Sequence, residues 1–149
     1  MAGFCNLLLE ANDIAIKHFD EILTEFAGDT MEQSAFYWKG MAHSFSGRYV
    51  EARDQMEAYL TKYEKSGITY RPEANFRIAY CTFCEAEYVE SIELFEAFIE
   101  EFPDAADTSE ARLLLGDAYL GEGLADEGIA AYKSIDPSSK KFFEDGWFK

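Results

Sequence analysis

A chain of 149 residues with 48% hydrophobic content is long enough to bury one real core; its three prolines lie far apart and no segment is low-complexity. With 13 basic residues against 29 acidic ones the formal charge is -16, which repels phosphate backbones and anionic membranes and so excludes nucleic acid as a partner. Acid of this kind solvates the outer faces of helices, and attraction of a basic partner is the second reading.

The pattern of apolar residues is helical throughout. Helices are expected near 3–11, 13–27, 31–46, 48–64, 72–86, 88–102, 108–122, 125–135 and 140–149. The apolar start, Met1 to Leu9, lacks a basic leader and a small-residue cleavage site, and Phe4 before Cys5 does not fit a lipidation signal. No stretch is long enough to span a bilayer. As written the chain reads as cytoplasmic; as a piece of a longer exported protein it would be periplasmic or envelope-associated. Gly28 suits a left-handed helix end, and Thr30 with Gln33 has the spacing of a capping box. Turns are expected at Gly47-Arg48-Tyr49, Ala86-Glu87-Tyr88 and Gly123-Leu124-Ala125. Pro72 and Pro137 sit where a first helical turn tolerates a missing N–H, Phe102-Pro103 ends a helix, and Asp107 with Glu110 forms a second box.

These elements repeat. A small residue followed four positions later by a large one recurs as Ala15 and Phe19, Ala52 and Met56, Ser91 and Phe95, Gly128 and Tyr132, at intervals of 37, 39 and 37 residues. A second set keeps the period: Lys39-Gly40 with His43, and Leu115-Gly116 with Tyr119. The small residue lets two helices approach closely while the larger ones fill the space beside it.

Little in the chain has the arrangement of catalytic or metal chemistry. Cys81 and Cys84 form a single C-x-x-C in mid-helix with no nearby histidine, too few ligands for structural zinc and the wrong place for an activated thiol; buried unpaired thiols are expected. His18 and His43 belong to different units, and Glu90, Glu93, Glu96 and Glu100 form a solvated helix face. Gly121-Glu122-Gly123 is a turn and not a phosphate loop, and no Ser-His-Asp order stands out. No catalytic residue, metal or cofactor is expected.

The run from Tyr70 to Gly123, above all Tyr88-Val89-Glu90-Ser91-Ile92-Glu93-Leu94-Phe95 and Phe98-Ile99-Glu100-Glu101-Phe102-Pro103, resembles bacterial tetratricopeptide proteins. In style it is most similar to the outer-membrane assembly lipoproteins and cell-division coordinators of the bacterial envelope. Lys39, His43, Asn75 and Thr82 depart from the apolar or larger residues usual at their positions. The resemblance implies an all-α, right-handed superhelical array of antiparallel helix pairs. Residues 1–149 would then be one domain of about four pairs plus the start of a fifth unit.

It also implies a groove lined by the first helix of each unit. The inward stripe reads Ser34, Tyr37, Met41, Ser44, then Glu73, Phe76, Tyr80, Phe83, then Glu110, Leu113, Asp117, Leu120. A non-catalytic scaffold follows, binding a protein or peptide segment with Tyr37, Met41, Phe76, Tyr80 and Leu113 as apolar contacts, and Glu73, Glu110 and Asp117 favouring basic flanks; the other reading of Phe76, Tyr80 and Phe83 is packing between neighbouring helices. The lysine, asparagine and arginine carboxylate clamp of chaperone-binding relatives is replaced here by aromatic and acidic residues. Equivalent positions advance from Phe36 to Asn75, Arg112 and Trp147, so Phe142, Phe143, Trp147 and Phe148 form an apolar edge without the polar outer face of a capping helix. The alternative function is therefore a structural segment of a longer array, with homo-oligomer formation through that edge.

Overall fold

The computed structural model describes residues 2–28 and 30–135, with the backbone course alone for residues 2–9 and 30. Among the described residues seven helices follow one another: α1 (Ala2–Glu25), α2 (Thr30–Phe45), α3 (Tyr49–Tyr63), α4 (Arg71–Cys84), α5 (Tyr88–Glu101), α6 (Thr108–Gly121) and α7 (Ala125–Lys133). No strand occurs among the described residues. One expectation is corrected at once: the helices foreseen at 3–11 and 13–27 are a single helix. Glu10 and Ala11 are good helix formers and no glycine or proline interrupts them, so the chain has no reason to turn there. Three antiparallel pairs follow α1. The helix foreseen at 140–149, with Pro137, lies outside the described residues.

The three tight turns are built alike. Gly47, Ala86 and Gly123 stand at φ of 72°, 60° and 77°. In each, the N–H of the next residue reaches back five positions in the Schellman pattern: Arg48 to the carbonyl of His43 at 3.0 Å, Glu87 to Thr82 at 3.2 Å, Leu124 to Tyr119 at 2.8 Å. Repetition of one turn at nearly equal spacing makes the pairs equivalent.

Successive helices pack on one another, and the first helices of the pairs also touch, α2 on α4 and α4 on α6. Two core clusters result. One holds Tyr37, Met41, Met56, Tyr59, Tyr63, Ala74 and Ile78 between α2, α3 and α4. The other joins α4 to α7 through Phe76, Ala79, Phe95, Phe98, Ala111, Leu114, Leu115 and Ala131, and Leu94 adjoins both.

The repeated small residues allow this closeness. A Cβ built on Gly40 would come within 2.9 Å of Met56, a flexible side chain. One on Gly116 would lie 2.3 Å from Cε1 and 2.6 Å from Cδ1 of the Tyr132 ring, which is held further by its hydroxyl donating to Asp117. Gly116→Ala gains up to about 1 kcal/mol of helix propensity but forces this ring aside, and overpacking costs about 1–3 kcal/mol. The expected net result is a loss of roughly 1–2 kcal/mol and a melting point several degrees lower by circular dichroism. A second change, Tyr132→Leu, should recover part of the loss; if it deepens the loss instead, the ring contact is not the cause.

The capping box expected at Asp107 does not form, and the Thr30 side chain of the other lies outside the described residues. Gln33 spends its amide on the connection between α3 and α4: its Nε2 donates to the Gly67 carbonyl (3.1 Å), and its Oε1 accepts from the Thr69 N–H (2.7 Å) and the Tyr59 hydroxyl (2.9 Å). Glu32 takes the local role, accepting from the Gly28 N–H at 2.9 Å and from Lys62, whose ammonium and the Gly28 N–H hold the carboxyl below its usual range. Gly28 itself is left-handed (φ 89°), as expected. At α6 the Asp107 side chain makes no cap bond. The turn before α6 is tied instead by the Thr108 hydroxyl, which donates to the Phe102 carbonyl at 2.7 Å.

Candidate functional site

The contact of α2 with α4 and of α4 with α6 sets three helices side by side, and the face they share is the candidate binding surface. Its apolar part is more deeply packed than its sequence stripe suggests. Tyr37, Met41 and Phe76 are buried, with 5%, 7% and 3% of their surface exposed. Tyr37 stacks on Tyr70 with ring centroids 4.4 Å apart, and Phe76 meets Phe98 at 5.7 Å and Phe95 at 6.3 Å. These three are therefore core residues, which corrects their expected place as surface anchors. The physical reason is that α4 is flanked by α2, α3, α5 and α6, so a stripe at three- and four-residue spacing is largely covered by neighbours.

The remaining residues of the stripe are accessible to different degrees. Tyr80, Glu73 and Leu113 are half-buried; Asp117 is exposed and accepts the hydroxyl of Tyr132. Burial pushes the Tyr80 hydroxyl up to about 12, with the thiol of Cys84 beside it, and burial likewise pushes Tyr37 to about 12. Phe142, Phe143, Trp147 and Phe148 lie outside the described residues.

Arg77 was not singled out from the sequence, yet it organises this face. Its guanidinium lies 4.9 Å from the Tyr80 ring, 5.6 Å from Phe45 and 5.9 Å from Phe76, and Nη1 reaches the Ser44 hydroxyl at 3.4 Å. Such cation–π contacts fix a cation on an aromatic floor. Around it stand Glu73 on α4, Asp107 before α6 and Glu110 on α6. Burial raises the Asp107 carboxyl, the charge of Glu73 raises it further, and Arg77 opposes both. Glu110 is raised by burial and then by Asp107, again against Arg77. One Glu73 carboxylate oxygen is buried without a hydrogen-bond partner. Arg77 is thus the basic charge that opposes the rise of both Asp107 and Glu110. The sequence signal for Arg77 was its spacing of four from Glu73 on the same helix face.

The histidines and cysteines do not converge on this face. Cys81 is buried, its thiol raised by burial and 3.7 Å from the Ser44 hydroxyl to which it donates, and Cys84 is half-buried. His43 is half-buried and lowered by burial and by the charges of Lys39 and Arg48, whereas exposed His18 sits 3.2 Å from Glu21. Among the described residues no group of three or more His, Cys, Asp or Glu side chains is placed to hold a metal ion, and no helix is long and apolar enough to cross a membrane.

Paired helices with small residues at their crossings, identical tight turns and first helices in file define an α-solenoid of the tetratricopeptide type. Two crystal structures of the protein MamA share it. The first is 22% identical with a TM-score of 0.67 over 93% of this chain and 70% of that one. The second has the same identity and TM-score over 94% and 81%. The YfiO family, described as outer membrane lipoprotein, is matched over residues 29–138, and the chain belongs to that family. No curated protein matches it.

Proposed function

We propose that the chain is a non-catalytic scaffold that holds a segment of another protein on the face formed by α2, α4 and α6, with a basic side chain of that segment meeting Glu73, Asp107 and Glu110. The observation that carries this reading is the set of Glu73, Asp107 and Glu110 around the single guanidinium of Arg77. Asp107 and Glu110 are raised first by burial and then by a neighbouring acid, and a second cation there would offset both. Tyr80 and the exposed ring of Phe45 flank Arg77 and offer apolar area next to the acid, and Leu113 and Asp117 extend the surface along α6. Membership of an outer membrane lipoprotein family supports a working place at the cell envelope.

The test uses two pools of fluorescein-labelled peptides with the same apolar residues, one carrying Lys and Arg and the other Asp and Glu. Anisotropy should show saturable capture of the basic pool only, and Glu73→Gln with Glu110→Gln should weaken it at least tenfold at pH 7. Equal capture of both pools, or no effect of the double variant, would sink the proposal. The pH dependence has a definite sign. Asp107 and Glu110 are raised in the folded chain, so it binds their protons more tightly than the unfolded chain does. Their contribution to stability therefore grows as pH falls from 7 through the raised values, and levels off below the unfolded carboxylate range near ~4. Capture of the basic pool should fall over the same interval, because Asp107 and Glu110 lose their negative charge. Weaker binding without lower stability distinguishes this from acid unfolding.

A further inference from the structure

One position of the repeat ties each first helix to the helix before it. It holds His43 on α2, Thr82 on α4 and Tyr119 on α6, at intervals of 39 and 37 residues. The Thr82 hydroxyl donates to the Ile78 carbonyl at 2.9 Å, and Nη1 of Arg53 on α3 lies 3.5 Å from it while pairing with Glu87 at 2.7 Å. The Tyr119 hydroxyl donates to Glu96 on α5. By the same register His43 faces α1, and the charges beside it agree. Lys39, one turn earlier on α2, pairs with Asp20 of α1 at 2.7 Å, and Arg48, in the turn after α2, pairs with Asp13 of α1.

His43 differs from its two counterparts at one atom: its Nδ1 is buried without a hydrogen-bond partner. A buried lone pair costs less than a buried N–H with no acceptor, so the neutral ring is assigned its proton on Nε2. A second proton would have to enter at Nδ1, where that N–H would be left unpaired. Four charged groups face the ring. Lys39 on α2 and Arg48 in the turn repel an imidazolium, whereas Glu51 on α3 and Asp20 on α1 attract it. Burial is the largest effect, and the balance lowers His43 from its ordinary value.

We infer that α1 is a releasable helix and that protonation of His43 loosens it from α2. With α1 in place the charged ring has no acceptor at Nδ1; with α1 away, water reaches that atom and solvates the charge. The packed state therefore binds the His43 proton more weakly than the released one. The hold on α1 is complete above ~6.5, the ordinary histidine value, and weakens as pH falls from there through the lowered one. α1 is placed to respond alone, because α2 is the helix it packs on and its Phe19 and Ile22 are only half-buried.

The test is hydrogen exchange of the intact chain at pH 7.5 and 5.5, each amide corrected for its intrinsic rate. Exchange across residues 11–25 should be about three- to tenfold faster at pH 5.5, tenfold being the limit for a group that ordinarily titrates near ~6.5. α4 to α6 should not accelerate. His43→Thr, which copies the equivalent Thr82, should remove the response, and His43→Gln serves if the threonine variant does not fold. His18→Gln, at an exposed site on α1, should keep it. Glu73→Gln with Glu110→Gln should keep it too, so failure here and failure of the α4–α6 reading are told apart. In the unaltered chain the His43 ring should titrate below ~6.5 by NMR. Four results would overturn the inference: exchange in α1 indifferent to pH, a response that survives loss of the His43 ring, equal acceleration of α4 to α6, or a His43 midpoint at or above the ordinary value.

Discussion

Phe95→Ala should lower the unfolding free energy by about 3–5 kcal/mol, the range for removing a large buried ring. Phe95 is fully buried in α5, and its ring touches both Phe76 and Phe83 of α4. Alanine leaves a cavity that the surrounding helices cannot close, because Ser91 and Ala79 beside it are already small and fully buried. Against a typical total of about 5–15 kcal/mol this is a large fraction. Because each unit of a solenoid leans only on its neighbours, the damage should be local. Hydrogen exchange should accelerate most in α4 to α7 and least in α2 and α3. Uniform acceleration along all helices would mean that the chain opens as one body and would contradict the stacked-unit account.

Tyr59 should separate packing from hydrogen bonding in the other cluster. Its ring lies 5.9 Å from Tyr37 and 5.4 Å from Tyr63, and it has no exposed surface. Its hydroxyl donates to Gln33 at 2.9 Å and accepts the Tyr70 N–H at 3.1 Å, closing the connection that leads into α4. Tyr59→Phe keeps the ring and strands the Tyr70 N–H, at a cost of about 1–3 kcal/mol. Tyr59→Ala removes both and should cost about 3–5 kcal/mol or more. Urea denaturation with fitted midpoints checks the order. Equal losses for the two variants would show that the ring contributes nothing beyond its hydroxyl, against the packing described.

Much of the fold was legible because the repeat is written in small residues and turns. Gly40 and Gly116 stand where a Cβ would strike Met56 and Tyr132, and three like turns mark where the first helix of each pair gives way to the second. What the sequence could not weigh was competition for a side chain. Gln33 has the spacing of a local cap, yet residues 34 and more positions away claim its amide. The stripe of Tyr37, Met41 and Phe76 was found on the right helices, but periodicity fixes a face and not the neighbours that cover it. Arg77 was passed over for a related reason: its aromatic floor includes Phe45 from another helix, which no spacing within α4 reveals.

The division of the core into two clusters bears on the order in which the protein is made. Every buried partner of Tyr59 in its cluster lies between Tyr37 and Ile78, so that core can close once α4 has left the ribosome. The second core waits for α6 and α7, and Leu94 joins it to a first half already formed. Synthesis at about 5–20 residues per second gives the leading units several seconds to settle before the last pair appears. Each added pair finds a finished surface to condense on, and the growing chain never has to hold its whole apolar content exposed at one time.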